Sequence, residues 1–301
     1  MKKPDNKGHS EEYFGDFRDH WYNQDFLELM AKRWELKNVN SLLDVGCGQC
    51  HWTRIASSFL NKGSHVTAVD SDPKWAKSDE KLEKFFSERD IAFQIEEADA
   101  LNLPYKDNSF DAVTSQTVLI HIENPLNALR EMKRVLKPGG ILFCAEPNNL
   151  VASVVKDSIT AEFRIEEVIE WFTFGLIKEK GKIKQGKGDN SVGDLLPKFF
   201  SQLQLKDIRA HLSDKANVII PPYNSEESKS MLDFRLENYY EDFMKAETKK
   251  QFEQFGGKYD AVLKRAEKKM DEYKAELKDA TRNQTYYDVS TAVMYLVSGR
   301  K

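Results

Sequence analysis

The sequence has few of the features that mark secreted, membrane-spanning or nucleic-acid-binding proteins. Its 301 residues include three cysteines, too few for a disulfide framework, which favours a reducing compartment. No apolar run is long enough to cross a bilayer, and residues 1–6 (M-K-K-P-D-N) begin no apolar signal segment. The net charge of −4 provides no basic field for nucleic acid. We therefore expect a cytoplasmic protein with no membrane or nucleic-acid partner, and its oligomeric state stays open.

Apolar residues make up 40% of the sequence, which is enough for a sizeable core. β-Branched and apolar runs at 65–70, 91–96, 110–115 and 141–147 alternate with helical patterns. This alternation is typical of a parallel sheet with crossover helices. The sequence therefore predicts an α/β fold.

The most informative segment is D-V-G-C-G-Q at residues 44–49. An apolar run at 41–43 comes before it and indicates a buried strand, and a helical pattern at 52–60 follows it. Gly46 and Gly48 allow the backbone to approach a ligand, and the N–H groups that begin the helix face that ligand. A strand that passes through glycines into a helix is typical of a nucleotide-cofactor loop.

Two residues near the glycines argue against a dinucleotide. The dinucleotide pattern G-x-G-x-x-G has its third glycine where this chain has His51, a bulky side chain. Asp44 ends the strand, and its charge would repel a pyrophosphate. A ligand with a cationic amino group and no phosphate would instead be attracted to Asp44. S-adenosylmethionine fits this description.

The same segment contains C-x-x-C-H at residues 47–51, which matches the haem c attachment pattern and includes a thioredoxin-like cysteine pair. Haem attachment requires export, and a thioredoxin pair does not have Gly-x-Gly around its first cysteine. No second C-x-x-C or H-x-x-x-H pair completes a zinc site. We therefore interpret Cys47 and Cys50 as small packing residues and expect no metal.

The segment at 44–49 resembles motif I of the class I S-adenosylmethionine-dependent methyltransferases, which usually reads apolar-apolar-Asp-x-Gly-x-Gly. The segment R-V-L-K-P-G-G at 134–140 resembles the entry to the fifth strand in the type 11 branch of this family. The resemblance extends over 42–147, with its motifs in the family's order. It implies a Rossmann-like, doubly wound sheet of seven strands whose antiparallel last strand lies between the fifth and sixth. We assign the sixth strand to 205–212 and the last to 290–298.

Candidate cofactor-binding residues lie mainly at the strand ends. Asp70 ends the second strand, about 20 residues after the glycines, where a nucleotide fold places its ribose-binding acid. The resemblance implies that Asp99, followed by Ala100, accepts a hydrogen bond from the adenine amino group; a turn acid is the alternative interpretation. The candidates are Asp44, Gly46, Cys47, Gly48, Asp70, Ser71, Asp99, Ala100, Gln116, Tyr22 and Arg18.

An aromatic cluster precedes the first strand and contains Tyr13, Phe14, Phe17, Trp21 and Tyr22. Aromatic faces attract a sulfonium as they attract other cations, so the cluster is a candidate lid, with ordinary helix packing as the alternative. Arg18 lies within the cluster and is a candidate partner of the methionine carboxylate.

The resemblance implies an enzyme that transfers a methyl group from S-adenosylmethionine, leaving S-adenosylhomocysteine. We expect a small-molecule acceptor with an O, N or C nucleophile. A methyltransferase that acts on RNA or protein, and a nonmethylating member of the fold, are the alternatives. His121 lies just after the fourth strand and is the candidate general base, because histidine titrates near neutral pH. A structural role is the alternative for His121. Glu146 and Asn148, at the tip of the fifth strand, are the other polar residues expected to face the substrate.

The expected organisation divides the chain into six segments. They are an N-terminal helical lid (1–40), a cofactor-binding core (41–150), a helical cap segment (151–192), a completion of the core (193–213), a helical insertion (214–288) and a final core strand (289–301). The insertion is the main departure from the family pattern, in which a tight hairpin joins the last two strands. Its interleaved charges support a solvated helical face.

Overall fold

A computed structural model describes residues 21–151, 156–236, 238–290 and 293–301, and it describes the backbone alone at 234, 238–244 and 290. Within these ranges, the strands are β1 (Ser41–Val45), β2 (His65–Asp70), β3 (Ala92–Glu97), β4 (Phe110–Gln116), β5 (Leu136–Pro147), β6 (Lys206–Leu212), β7 (Asn217–Ile219), β8 (Asp288–Ser290) and β9 (Met294–Arg300). The α-helices are α1 (Gln24–Arg33), α2 (His51–Ser57), α3 (Glu80–Ser87), α4 (Pro125–Val135), α5 (Ile165–Lys184), α6 (Leu196–Gln202), α7 (Glu226–Leu236), α8 (Asn238–Glu253) and α9 (Asp260–Arg282). Short 3₁₀ turns are Leu36–Asn38, Leu119–His121, Thr160–Glu162 and Val192–Leu195.

The main sheet has seven strands in the order β3-β2-β1-β4-β5-β9-β6. Its strands are parallel except for β9, which pairs antiparallel with both β5 and β6. The predicted topology, with an antiparallel last strand between the fifth and sixth, is confirmed.

Helices cover both faces of this sheet because its strands are apolar on both sides. Leu42 and Leu43 are neighbours on β1, both fully buried, and they lie in two different apolar clusters. Side chains of α1, α2 and α3 complete the cluster around Leu42, and those of α4 and α6 complete the one around Leu43. Successive side chains of a strand point to opposite faces, so the fold has three layers, with the strand ends left for a site.

The described part of the predicted N-terminal lid, 21–40, is part of the core. Met30 of α1 is fully buried, and the ring of Trp34 stacks on Phe143 of β5 with centroids 4.4 Å apart. The apolar face of α1 therefore packs on the sheet. Residues 1–20, including Arg18, Tyr13, Phe14 and Phe17, lie outside the described residues.

The helix after β2 begins later than the sequence suggested. Segment 71–73 (S-D-P) predicts a helix start, yet α3 begins at Glu80, with Asp79 as N-cap accepting from Leu82 N at 2.8 Å. The chain turns after β2 instead, because the Asp72 carboxylate accepts from the Lys74 backbone N–H at 3.0 Å.

The helices beyond β5 form two small cores of their own. Phe174 and Ile177 of α5 pack with Phe252 of α8 and Ala266 of α9. The composition of the glycine-rich segment 181–190 favours a loop, but its first four residues are the last turn of α5. Gly181 packs closely against α8, and a Cβ at this position would lie 2.3 Å from the Gln251 carbonyl oxygen.

The second core lies between α7, α9 and a two-stranded ribbon of β7 and β8 that the sequence did not predict. A buried polar network connects these elements. The Asp157 carboxylate accepts from the hydroxyls of Tyr273 at 2.5 Å and Tyr286 at 3.2 Å, and Arg235 donates to Asp288 at 2.5 Å. The segment 214–288 therefore packs against Asp157 and α5 through buried contacts.

Candidate active site

The loop after β1 lies close to the ends of β2 and β4. Gly46 and Gly48 have φ angles of 75° and 48°, and the Gly46 and Cys47 backbone N–H groups both donate to the Val69 carbonyl, at 2.7 and 2.9 Å. A Cβ on Gly46 would lie 2.3 Å from the Val118 side chain. A larger residue at 46 would therefore push the loop and the β4 end apart.

Asp70 connects this loop to the turn after β2. Its carboxylate accepts from Gly48 N at 2.9 Å and from Asp72 N at 3.0 Å. Burial raises the pKa of Asp70, while the hydrogen bonds from Asp72 and Gly48 oppose the rise. A half-buried carboxylate fixed in this way at a strand end can accept hydrogen bonds from a neighbouring diol.

Asp99 lies near Asp70 because Ala98 N donates to the Asp70 carbonyl at 2.9 Å, which joins the end of β3 to that of β2. The Asp99 side chain is exposed, and its Oδ1 accepts from Leu101 N at 2.8 Å. Asp99 therefore stabilises the turn that contains it, and its exposed carboxylate can also accept a hydrogen bond from a ligand. Ala100 is half-buried beside it, and Ser71 is exposed after β2.

Asp44 is almost fully buried, with 1% of its surface exposed. The Thr53 hydroxyl of α2 donates to Oδ2 at 2.5 Å, whereas Oδ1 has no hydrogen-bond partner among the described residues. Burial raises the pKa of Asp44 to about 7, and the nearby charge of Asp70 adds to the rise. An unsatisfied buried carboxylate oxygen is costly, so this atom fits a ligand that brings a cationic donor.

Tyr22 and Gln116 are in contact at the carboxyl end of β4, although they are far apart in sequence. Gln116 Nε2 donates to the Tyr22 hydroxyl at 3.0 Å, and the Tyr22 ring lies 5.7 Å from that of Trp52. Both side chains are buried. Burial, with the charge of Glu146, raises the pKa of Tyr22, so this phenol is a neutral group.

His121 belongs to a turn that other residues hold in place. Glu146 is fully buried, and its Oε1 accepts from Val118 N and Leu119 N, each at 3.0 Å. Lys182 of α5 donates to the Ile120 carbonyl at 2.8 Å. The side chain of His121 itself is exposed.

Thr53 and Lys182 support the site although the candidates from the sequence did not include them, and Glu146, expected to face the substrate, supports the site from a buried position. Burial raises the pKa of Glu146 to about 7 and lowers that of Lys182 to about 8. The position of Thr53 in the first helical turn after the glycines could have indicated that its hydroxyl lies near Asp44. For Lys182, a surface-type residue in a charged helix, the sequence contains no signal.

Cys47 and Cys50 are buried free thiols. Hydrogen bonding with Cys50 and burial raise the pKa of Cys47, which disfavours the thiolate that redox chemistry and metal binding need. Within the described ranges, no group of three or more His, Cys, Asp or Glu side chains could hold a metal ion. Of the helices in those ranges, none has the length and apolar character required to cross a bilayer.

A cavity of about 270 Å³ lies at the edge of the sheet where β5 begins, lined in part by Lys137, Asp111 and Arg300. Its charged lining groups are already paired, Lys137 with Asp111 at 2.7 Å and Arg300 with Glu35 at 2.5 Å. Ligands of open α/β sheets bind at the carboxyl ends of strands, so this cavity is not part of the candidate site.

A family model described as a methyltransferase domain matches residues 43–144. A demethylmenaquinone methyltransferase of Staphylococcus haemolyticus is 30% identical over 181 residues, which are 60% of this chain and 74% of the relative. The demethylmenaquinone methyltransferase of Staphylococcus carnosus is 33% identical over 151 residues, 50% of this chain and 61% of the relative, so the chain spans less than two thirds of that protein. The crystal structure of the YcgJ protein from Bacillus subtilis has a TM-score of 0.48 and 17% identity, and the alignment covers 93% of this chain and 99% of that chain.

Proposed function

This chain belongs to the class I S-adenosylmethionine-dependent methyltransferases, in the type 11 branch, and we propose that it methylates a small-molecule acceptor. The observation that carries the proposal is the group of acidic side chains at the ends of β1, β2 and β3. Asp44 has a buried oxygen without a partner among the described residues, Asp70 is fixed by two backbone N–H groups, and Asp99 is exposed beside it.

In the proposed cofactor site, each acidic residue has its own role. Asp44 Oδ1 accepts from the cationic amino group, Asp70 accepts from the ribose hydroxyls, and Asp99 with Ala100 contacts the adenine. The loop containing Gly46, Cys47 and Gly48 holds the methionine end, and Ser71, Gln116 and Tyr22 complete the walls. Arg18 stays a candidate for the methionine carboxylate. The left-handed backbone at Gly46 and Gly48 supports this arrangement, as does the Asp44 oxygen, for which the described part of the chain offers no partner.

Bound S-adenosylmethionine supplies a methyl group on a sulfonium, whose leaving group is a neutral thioether. The residues of the chain then have two tasks, to place the acceptor in line with that methyl group and to exclude water. Correct placement alone can supply roughly 7–11 kcal/mol of the barrier reduction. The buried Glu146 and Lys182 position the turn that contains His121, and this exposed histidine is the candidate proton acceptor for acceptors that need one.

We propose that segments 151–192 and 214–288 form a mainly helical cover for the acceptor, over a cofactor floor made by 41–150. The contact of Lys182 with the Ile120 carbonyl supports this, because it joins α5 directly to the loop after β4. Gly188 also packs against the Ile120 carbonyl oxygen, where a Cβ would lie 2.4 Å away.

The proposed acceptor is a small molecule, in the cytoplasm. The names of the Staphylococcus relatives support this acceptor class and make demethylmenaquinone the first compound to assay. The net charge of −4 favours a small molecule over RNA.

The test is a methyl-transfer assay with methyl-labelled S-adenosylmethionine, in which extract acceptors are separated into small molecules, RNA and protein, with demethylmenaquinone assayed alone. We expect label in the small-molecule fraction, a large loss with Asp70→Ala and unchanged activity with the control Glu83→Ala, which removes an exposed acidic side chain of α3. Label confined to protein or RNA would contradict the proposed acceptor class.

A further inference from the structure

One face of α5 is apolar and exposed along almost the whole helix. Its residues are Ile165 (74% exposed), Ile169 (60%), Phe172 (36%), Leu176 (36%) and Ile183 (38%). Spacings of four, three, four and seven residues place these side chains on one side of a helix. We call this set the α5 stripe. It is about 27 Å long, from 1.5 Å of rise per residue.

The α5 stripe is opposite to the face with which α5 packs on its own protein. Phe174, Ile177 and Gly181 face α8 and α9 and are buried. That face serves the core, whereas the stripe residues keep between 36% and 74% of their surface exposed in the described structure. A contiguous apolar surface of this kind marks an interaction site.

Charges beside the α5 stripe have opposite signs at the two ends of the helix. Glu166 lies in the first turn and Lys184 in the last, and both are exposed. They are 18 residues apart, which is five helical turns, so they lie on the same flank of the stripe. Lys180, one turn before Lys184, is also exposed on that side.

This pattern is self-complementary under a two-fold axis that lies between two α5 helices, at the level of residue 174. An antiparallel copy of the helix places Ile165 opposite Ile183 and Phe172 opposite Leu176. It also places Glu166 opposite Lys184 of the second copy, and symmetry makes this pair twice. Parallel packing would instead put the acidic ends together. We propose that the α5 stripe is a dimer interface, in which two copies of this chain pack their α5 helices antiparallel.

The surface beside the stripe can add to this contact. An open groove of about 470 Å³ between α5 and α9 is lined by Glu166, Ile169, Glu170, Thr173, Val262 and Arg265. It borders the stripe along its N-terminal half, where the C-terminal half of the second α5 would lie. A stable interface buries about 800 Å² per partner, more than one helix stripe provides, so the groove edges also take part.

The experiment measures the mass of the full-length protein by sedimentation equilibrium over a range of concentrations. We expect twice the mass of the chain for the wild type. The double substitution Ile169→Glu with Phe172→Glu should weaken dimerisation about 30-fold or more, as the loss of a central apolar contact does. Leu212→Glu is the matched control, because it charges a leucine that is 52% exposed on β6, away from α5, and it should leave the mass unchanged.

Charge exchange tests the antiparallel arrangement itself. Glu166→Lys alone and Lys184→Glu alone should each weaken dimerisation by about 3- to 10-fold, since each creates two like-charge contacts. The double exchange should restore the wild-type affinity. Circular dichroism of each variant checks that the fold is retained.

Three results would overturn the proposal. The first is a monomer at all concentrations that floats with phosphatidylcholine vesicles through the α5 stripe. The second is a monomer that dimerises when residues 1–20 are deleted, because that segment would then be the occupant of the stripe. The third is a dimer that the Ile169→Glu, Phe172→Glu variant leaves unchanged.

Discussion

Lowering the pH from 7 to 5 should weaken the binding of S-adenosylhomocysteine about 50-fold, because Asp44 loses the charge that the ligand's amino group needs. Burial raises the pKa of Asp44 to about 7 in the ligand-free protein. Below that value the carboxyl is protonated, and each pH unit then costs a factor of ten, or about 1.4 kcal/mol. Since only half of the Asp44 carboxyl groups are charged at pH 7 and about 1% at pH 5, the change is about 50-fold, or about 2.3 kcal/mol.

The ligand sets the limit on the alkaline side. The amino group of S-adenosylhomocysteine is that of a free amino acid, and the neighbouring carboxylate raises its pKa above the value of about 7.7–8.0 for a chain terminus. We therefore expect binding to tighten from pH 5 to about pH 8 and to weaken only at higher pH, where that amino group loses its proton.

The assay is isothermal titration calorimetry with S-adenosylhomocysteine from pH 5 to 9, on the wild type and two variants. Asp44→Asn should weaken binding at pH 7.5 by about 1.5–3 kcal/mol and remove the acid-side dependence. Glu146→Gln is the matched control, because burial also raises the pKa of Glu146 to about 7 although its Oε1 is bonded to the backbone of Val118 and Leu119. An acid-side slope that persists in Asp44→Asn, or disappears in Glu146→Gln, would refute the reasoning.

Four further predictions follow from the same contacts. Asp70→Ala should weaken S-adenosylhomocysteine binding by about 1.5–3 kcal/mol in calorimetry, and an unchanged affinity would remove Asp70 from the ribose role. Asp44→Asn should stabilise the ligand-free protein at pH 8 by up to about 4 kcal/mol in urea unfolding, with little effect at pH 4. The reason is that the pKa of Asp44 is raised in the folded state, so the wild type is fully stable below pH 4, where the carboxyl is protonated, and loses stability as the pH rises through 7. Cys47→Ala and Cys50→Ala should fold normally, and elemental analysis that finds stoichiometric zinc or iron in the wild type would contradict the packing role. S-adenosylhomocysteine should raise hydrogen-exchange protection in residues 13–22, and identical exchange with and without ligand would exclude a cofactor-coupled lid.

The sheet was predictable from the sequence because its central strands are apolar on both faces and end at distinct turns. The runs around Leu43, Val69 and Val113 became central strands, and the antiparallel last strand took its predicted place. Strands β7 and β8 are too short for any alternating pattern to be visible, since each has three residues. Their pairing depends on contacts between residues far apart in sequence, such as Val218 with Val289.

The order of the site residues along the chain was visible, but their environments were not. A sequence can place Asp44 at a strand end, yet only packing shows that one of its oxygens is bonded to Thr53 and the other has no partner among the described residues. Glu146 was expected to face the substrate at the tip of the fifth strand, and it is instead fully buried as an acceptor for two backbone N–H groups. Burial and hydrogen bonding depend on the tertiary fold, which periodicity does not encode.

A crystal structure of the protein with S-adenosylhomocysteine tests the central claim most directly, because it locates every part of the ligand against the three acidic residues. We expect the ligand's amino group within about 3.2 Å of Asp44 Oδ1, both ribose hydroxyls at Asp70, and the adenine beside Asp99 and Ala100. An adenosyl group bound anywhere else, or an Asp44 Oδ1 that stays without a partner in the complex, would contradict it.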